Sequence, residues 1–230
     1  RLRGAGVYPV LIYSSTNNVY GGMEDVAIRK TERRYEYAAL KGGVSEERGL
    51  DFHSPYGCSK GAADQYVRDY ARIYGLRTVT FRQSCIYGYR QFGVEDQGWV
   101  AWFTIASLLD KPITIYGDGM QVRDVLFIDD LLNGFEMAAA AVDRTAGQVY
   151  NMGGGPANTL SLHELLDMLR SLTGKKIEVK YTDWRPGDQP VFICDISKAA
   201  GAFGWKPAVG AKEGVERLYH WVSDNRKIFF

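Results

Sequence analysis

Tyr56 and Lys60 stand four residues apart in Tyr56-Gly57-Cys58-Ser59-Lys60, and a helix would set both on one face. A cation held near a phenol stabilises the phenolate and lowers the tyrosine pKa from about 10. Such a pair can take a proton from an alcohol. Upstream, Leu11-Ile12-Tyr13-Ser14-Ser15-Thr16 reads as a buried strand ending in hydroxyls. Thr16, at the carboxyl end of that strand, suits a group that holds a substrate oxygen in line. In an alcohol oxidation the phenolate accepts the hydroxyl proton while hydride leaves to a nicotinamide. Taken singly, the same residues have plainer uses. Tyr-x-x-x-Lys also describes a half-buried tyrosine beside a solvated lysine, and strand-end hydroxyls also cap turns.

The elements around these residues bring them together. Ser54-Pro55 is a helix start, with Ser54 as N-cap and Pro55 in the first helical position. The helix is predicted to run to about residue 74, where Gly75 stops it. Residues 78–86 read as a second apolar strand. Strand, long helix, strand implies a parallel crossover. Open parallel sheets bind ligands beyond the carboxyl ends of their strands. Ser14-Ser15-Thr16 and Gln83-Ser84-Cys85 are therefore expected on one rim, facing Tyr56. Later residues predict a helix from 97 to about 109, a strand at 113–116, a turn at Gly117-Asp118-Gly119 and a strand at 125–128. Asp129 or Asp130 is expected to cap the next helix. A short strand at 148–152 and a capping box at Ser161 and Glu164 follow. A strand at 177–181, a short helix capped by Asp195 and a last helix at about 211–225 complete the reading. Gly153-Gly154-Gly155 reads as a loop. The polar stretch 21–52 has no periodicity and is expected to be functional or partly mobile.

Composition sets outer limits. The 230 residues could form one large or two small domains, and 46% hydrophobic with 24% charged residues is ordinary for a soluble globular protein. A net charge of +1 gives no basis for bulk binding to nucleic acid or to an acidic membrane. No apolar run reaches transmembrane length. Three widely spaced cysteines, Cys58, Cys85 and Cys194, fit neither a disulfide framework nor a zinc site, which points to a reducing cytoplasmic setting and no metal. His53 is expected to be structural or rim-exposed, His163 and His220 to lie on the surface, and the Glu46-Glu47-Arg48 run to be solvated.

Five motifs in order carry a family resemblance. They are Ser14-Ser15-Thr16-x-x-Val19-Tyr20-Gly21, Tyr56-x-x-x-Lys60, Arg82-x-x-x-x-Tyr87-Gly88, Tyr116-Gly117-Asp118-Gly119-x-Gln121-x-Arg123-Asp124 and Arg185-Pro186-Gly187-Asp188. Together they resemble the extended short-chain dehydrogenase/reductases that act on nucleotide sugars. The segments 51–60, 90–92 and 96–100 are most similar to those of the CDP-paratose 2-epimerases, also called tyvelose epimerases.

The resemblance implies an α/β fold: the carboxyl-terminal part of a Rossmann-type parallel sheet with a smaller mixed α/β substrate-binding lobe. Residues 1–88 would form the partial NAD-binding portion and 89–230 mainly the nucleotide-sugar lobe, with about 121–152 returning to the sheet. Tyr56 would be the acid/base. Lys60 would hold the nicotinamide ribose, and Thr16 would bond the reacting hydroxyl. Ser84 stands where the family contacts the nicotinamide half of NAD. Cys85 stands where many members carry a substrate-binding asparagine. Trp99 and Val100 fall in the nucleotide-binding segment, Arg123 and Arg185 would neutralise a diphosphate, and Asp188 could meet ribose hydroxyls. A homo-oligomer, dimer or tetramer, is common in the family.

One dipeptide separates subclasses. Dehydratases of the family carry Asp-Glu directly after the catalytic threonine, and decarboxylating members keep the glutamate. This chain has Asn17-Asn18, and amides do not exchange protons at neutral pH. Epimerisation at a sugar carbon, which needs only oxidation, rotation and hydride return, is the expected activity. The alternatives are a UDP-sugar 4-epimerase and a non-catalytic nucleotide-sugar-binding protein. The family's glycine-rich pyrophosphate loop has no counterpart in the sequence, so the chain reads as a piece of a longer protein. By itself it is expected to fold poorly and to bind NAD weakly.

Overall fold

A computed structural model describes residues 3–6 and 8–229. Its strands are β1 (Leu11–Thr16), β2 (Ile28–Lys30), β3 (Tyr35–Tyr37), β4 (Thr78–Gln83), β5 (Cys85–Tyr87), β6 (Ile113–Tyr116), β7 (Val122–Phe127), β8 (Val149–Met152), β9 (Thr159–Ser161), β10 (Val179–Thr182) and β11 (Val191–Phe192). The helices are α1 (Ser54–Tyr74), α2 (Trp99–Leu108), α3 (Ile128–Ala140), α4 (Val142–Thr145), α5 (Leu162–Thr173), α6 (Ser197–Phe203) and α7 (Ala211–Asp224).

The strand–helix–strand unit is parallel, as its sequence implies. β4 lies between β1 and β8, with Thr16 opposite Gln83 and Gln83 opposite Met152 at the carboxyl rim. The second predicted strand is divided, however. Its first part stays in this sheet, and Ser84 turns the chain so that β5 pairs with β7 in a different one. The alternation at Val79 and Phe81 lapses at Arg82-Gln83-Ser84, just where the strand divides. β7 also pairs with β11 and, antiparallel, with β9, while β10 runs parallel to β6.

α1 is fixed by its buried face. Gly57, Gly61 and Asp64 are its buried residues, spaced four and three apart. A Cβ on Gly61 would lie 2.3 Å from the Phe52 ring, so glycine permits the close approach. Asp64 and Arg82 form a buried, two-pronged ion pair: Arg82 Nε donates to Oδ2 at 3.0 Å and Nη2 to Oδ1 at 3.1 Å. Ser15 Oγ donates to the same Oδ2 at 2.9 Å. Arg82 Nη1 donates to the Tyr20 hydroxyl at 3.2 Å, which donates to Asn151 Oδ1 at 2.7 Å. One network thus joins β1, α1, β4 and β8.

Four expectations need correction. Neither Asp129 nor Asp130 caps α3. Phe127 precedes the helix, and Asp130 instead accepts from the Ala208 and Val209 amides at 2.9 Å each. The stretch 21–52 is built rather than loose. β2 and β3 form a hairpin, and Val19, Tyr20, Met23, Tyr37 and Val44 pack with Val122, Val191 and Phe192. Arg34 anchors the hairpin to Glu164 and Thr159. His163 is half-buried and engaged rather than free on the surface: its Nε2 bonds the Asp118 carbonyl at 2.8 Å and its ring packs against Gly119. Glu46, expected in solvent, accepts from the Asn151 amide at 2.7 Å. The capping box on α5 forms as read, with Ser161 and Glu164 bonding each other's amides.

Removing one partner of the buried pair isolates the other charge. Asp64→Ala is expected to cost about 3–5 kcal/mol of unfolding free energy, measured by urea denaturation. A loss below about 1 kcal/mol would contradict the role given to this pair.

Candidate functional site

α1 begins at the site. Ser54 has a φ of +65°, rare outside glycine, and its Oγ accepts from the Gly57 amide at 3.1 Å. The hydroxyl therefore caps the first turn, as its sequence position suggests. Tyr56 follows, half exposed and facing a cavity of about 730 Å³. Lys60, one turn on, docks onto the end of β1. Its Nζ donates to the Ser14 carbonyl at 2.9 Å and lies 5.4 Å from the Tyr13 ring centroid. Tyr13 answers by donating from its hydroxyl to the Lys60 carbonyl at 3.3 Å. The ammonium has three donors and spends one on Ser14.

The cavity wall collects most of the residues expected there. Tyr56, Ser84, Cys85, Trp99, Arg123, Arg185 and Asp188 line it, with Asn17 and Asn18 beside Tyr56. Thr16, Lys60 and Val100 stand behind the wall. Thr16 is nearly buried, and its Oγ1 accepts from the Asn18 amide at 3.3 Å, so it caps the turn after β1. Its own proton has only a 3.5 Å contact with Asn17 Oδ1. Val100 is turned into the core beneath α2.

The wall's charge is set by burial. Arg123 has no carboxylate within ion-pair distance among the described residues; its Nη1 donates to the Val122 carbonyl at 2.9 Å. Desolvation draws its pKa down from the ordinary guanidinium value, with the Asp188 carboxylate acting against it. A guanidinium so placed favours an anion in the cavity. Arg185 is held differently. Its Cζ lies over the Tyr116 ring, 3.7 Å from the centroid, and its Nη2 donates to Asp96 Oδ1 at 2.8 Å and the Glu95 carbonyl at 3.2 Å. Tyr116 in turn donates to Glu95 Oε1 at 2.9 Å. Burial pushes the Cys85 thiol up to about 12, so it remains protonated and inert near neutrality.

Sequence reasoning assigns no site role to Tyr116, Glu95 or Asp96. The aromatic residue directly before Gly117-Asp118-Gly119 was the available signal for Tyr116. The two acids come from an irregular segment with no periodicity. His53, at the site's edge, is paired with Asp51 Oδ2 at 3.0 Å and is exposed. Among the described residues no cluster of His, Cys, Asp and Glu could hold a metal ion, and no helix is long and apolar enough to cross a membrane.

The chain is similar to known proteins in both sequence and fold. Residues 2–153 match the NAD dependent epimerase/dehydratase family. The chain is 48% identical over 220 residues to the CDP-paratose 2-epimerase of Salmonella typhi, covering 93% of this chain and 64% of that protein. A UDP-glucose 4-epimerase from Thermotoga maritima, solved with UDP-glucose, superposes with a TM-score of 0.82 at 29% identity, over 98% of this chain and 66% of that one. A UDP-glucuronic acid 4-epimerase from Bacillus cereus, solved with UDP-glucuronic acid and NAD, gives 0.77 at 28%, over 94% and 62%. The chain thus spans somewhat less than two thirds of each.

The three thiols differ in access: Cys58 is exposed, Cys85 half-buried and Cys194 buried. Iodoacetamide at pH 8 is expected to label Cys58 alone in the native protein and every cysteine after denaturation, read by peptide mass spectrometry. Rapid native labelling of Cys85 would contradict the desolvated wall.

Proposed function

Because the chain belongs to the NAD dependent epimerase/dehydratase family, we propose that it epimerises a nucleotide sugar with NAD, in the manner of a CDP-paratose 2-epimerase. When bound, NAD supplies the two-electron acceptor that takes hydride from an alcohol carbon and returns it. The residues around Tyr56 fit its nicotinamide end, since Lys60 keeps two N–H donors and Ser84 offers a hydroxyl on the wall.

Tyr56 takes the proton from the sugar hydroxyl as hydride leaves and gives it back after the keto sugar has turned its other face. Lys60 favours the phenolate by its charge. The Thr16 hydroxyl, loosely held by Asn17, turns to the same oxygen. Arg123 and Arg185 take the diphosphate, for which a guanidinium fork is suited, and Asp188 the ribose. Trp99, Val100 and Cys85 border the nucleotide and sugar.

The observation that carries an epimerase reading is the pair Asn17 and Asn18 on the cavity wall beside Tyr56. An eliminating enzyme needs an acid and a base there, and these amides are neither. Identity of 48% to a CDP-paratose 2-epimerase supports the choice of sugar nucleotide. A UDP-sugar 4-epimerase is the second reading, supported by the superposition on such an enzyme. The reading also includes a division near residue 88 into cofactor and substrate portions, with about 121–152 returning to the first. It further includes a homo-oligomeric assembly and a cytoplasmic role in carbohydrate metabolism.

The deciding experiment incubates the full-length protein with CDP-paratose, CDP-glucose and UDP-glucose in parallel and follows products by NMR. Inversion at C2 of the CDP sugar is expected, and borohydride trapping of the keto sugar identifies the oxidised carbon. Inversion at C4 of UDP-glucose alone would replace the first reading with the second. Tyr56→Phe is expected to lower kcat by about 10²–10⁴-fold while leaving CDP affinity nearly unchanged. Arg123→Met should instead weaken CDP binding by about tenfold or more. Asn17→Asp with Asn18→Glu tests the subclass. Elimination products already formed by the unsubstituted protein would refute the epimerase assignment.

A further inference from the structure

Ser84 is the residue at which the strand changes sheets, and its hydroxyl is bound on one side. Its Oγ donates to Asp124 Oδ1 at 2.5 Å and shares the same proton with the Asp124 carbonyl at 3.1 Å. Asp124 is fully buried. Its other oxygen, Oδ2, accepts from the Gly155 amide at 3.1 Å and the Cys194 thiol at 2.9 Å. Burial raises the Asp124 pKa, and these donors oppose that shift. Burial and the adjacent carboxylate hold the Cys194 thiol well above its ordinary value, so it stays S–H and donates. The packing is tight: a Cβ on Gly153 would sit 2.2 Å from Asp124 Oδ2.

A serine hydroxyl has one proton and two lone pairs. Two acceptors of Asp124, Oδ1 and the main-chain carbonyl, face that proton, and Oδ2 already takes two donors; this arrangement fits the ionised carboxylate, which can only accept. Ser84 lines the cavity, so only lone pairs remain for a ligand. A carbonyl oxygen or phosphate brought to Ser84 would meet an acceptor; an N–H would be bonded. The nicotinamide carboxamide carries both a carbonyl and an NH2 group, and only the NH2 could bond an accepting Ser84.

We propose that Asp124 is a positioning residue that makes Ser84 an obligate hydrogen-bond acceptor for the carboxamide NH2 of the nicotinamide. The proposal rests on the NAD reading above. Asp124 touches neither ligand nor reacting atoms; it acts by taking the Ser84 proton. Three chain segments converge on its carboxylate: the strand switch at Ser84, the glycine loop at Gly155 and the chain after β11 at Cys194.

The test compares NAD with 3-acetylpyridine adenine dinucleotide, which keeps the carbonyl and replaces NH2 by methyl. Calorimetry on the full-length protein without sugar gives the ratio of the two dissociation constants. The unsubstituted protein is expected to bind NAD about three- to tenfold more tightly than the analogue. Ser84→Ala should bring the ratio to about one, and Ser84→Thr, which keeps the hydroxyl, should retain it. Asp124→Asn should also remove the preference. Its amide oxygen would stay with the Gly155 and Cys194 donors, turning NH2 towards Ser84 and releasing the hydroxyl proton from the carboxylate, so that only the longer contact with the residue-124 carbonyl, at 3.1 Å, competes with a ligand for it. A folded Asp124→Asn protein, checked by its melting curve, that kept the preference would overturn the proposal. So would an unchanged ratio in Ser84→Ala. If Asp124→Asn does not fold, the Ser84 variants decide: collapse in alanine with retention in threonine supports the proposal, and any other pattern overturns it. NAD binding with no preference over the analogue sinks this proposal alone. No NAD binding sinks the functional reading and the proposal together.

Discussion

The ion pair between Asp64 and Arg82 governs the placement of everything at the rim. A buried guanidinium and a buried carboxylate are each costly alone, and together they are tolerable only in good geometry. The two-pronged contact supplies that geometry, and Ser15 and Tyr20 use remaining hydrogen-bonding capacity. Asp64 stands two turns along α1 from Tyr56 and one turn from Lys60, on the same side of the helix. The pair therefore sets the rotation of α1 about its axis, and with it the direction in which Tyr56 points. A purely apolar seam would hold the helix against the sheet but would define its rotation less strictly.

The cavity is organised around unequal arginines. Arg123 is desolvated and lacks a close carboxylate, so an anion gains most beside it. Arg185 is already bonded to Asp96 and placed over Tyr116, which holds its guanidinium before any ligand arrives. Its Nη2 carries both polar contacts. One arginine is thus a source of field, and the other a pre-set shape. Both belong to segments outside the β1–α1–β4 unit, so the charge for a ligand and the proton chemistry come from separate parts of the fold.

Much of this was readable from residues. The parallel unit, the stop at Gly75 and the capping box at Ser161 follow from local spacing, and Ser84 and Cys85 on one rim with Tyr56 follow from the rule that ligands sit beyond strand ends; Arg123 and Asp188 came from the family resemblance. What escaped reading depends on distant partners. Asp130 looked like a cap because it opens a helix, but its carboxylate serves two amides almost eighty positions later. Glu46 and His163 looked solvated because nothing nearby in sequence receives them. The hairpin at 28–37 is too short to show a period, and its core is supplied by β7 and β11. Asp64 itself gave no sign, since a single acid on a polar helix resembles any surface residue.

The change of sheets at Ser84 has a bearing on how such sites diversify. On one side of that residue, β4 side chains pack among β1, β8 and α1; on the other, β5 packs with β7. Two stretches of a single strand thus answer to different neighbours. Substitutions after residue 84, where Cys85 borders the cavity, can accumulate without disturbing the layer that aims Tyr56. The reverse also holds, so the cavity wall beyond Ser84 and the layer that carries Tyr56 are separable under selection although they are adjacent in the chain.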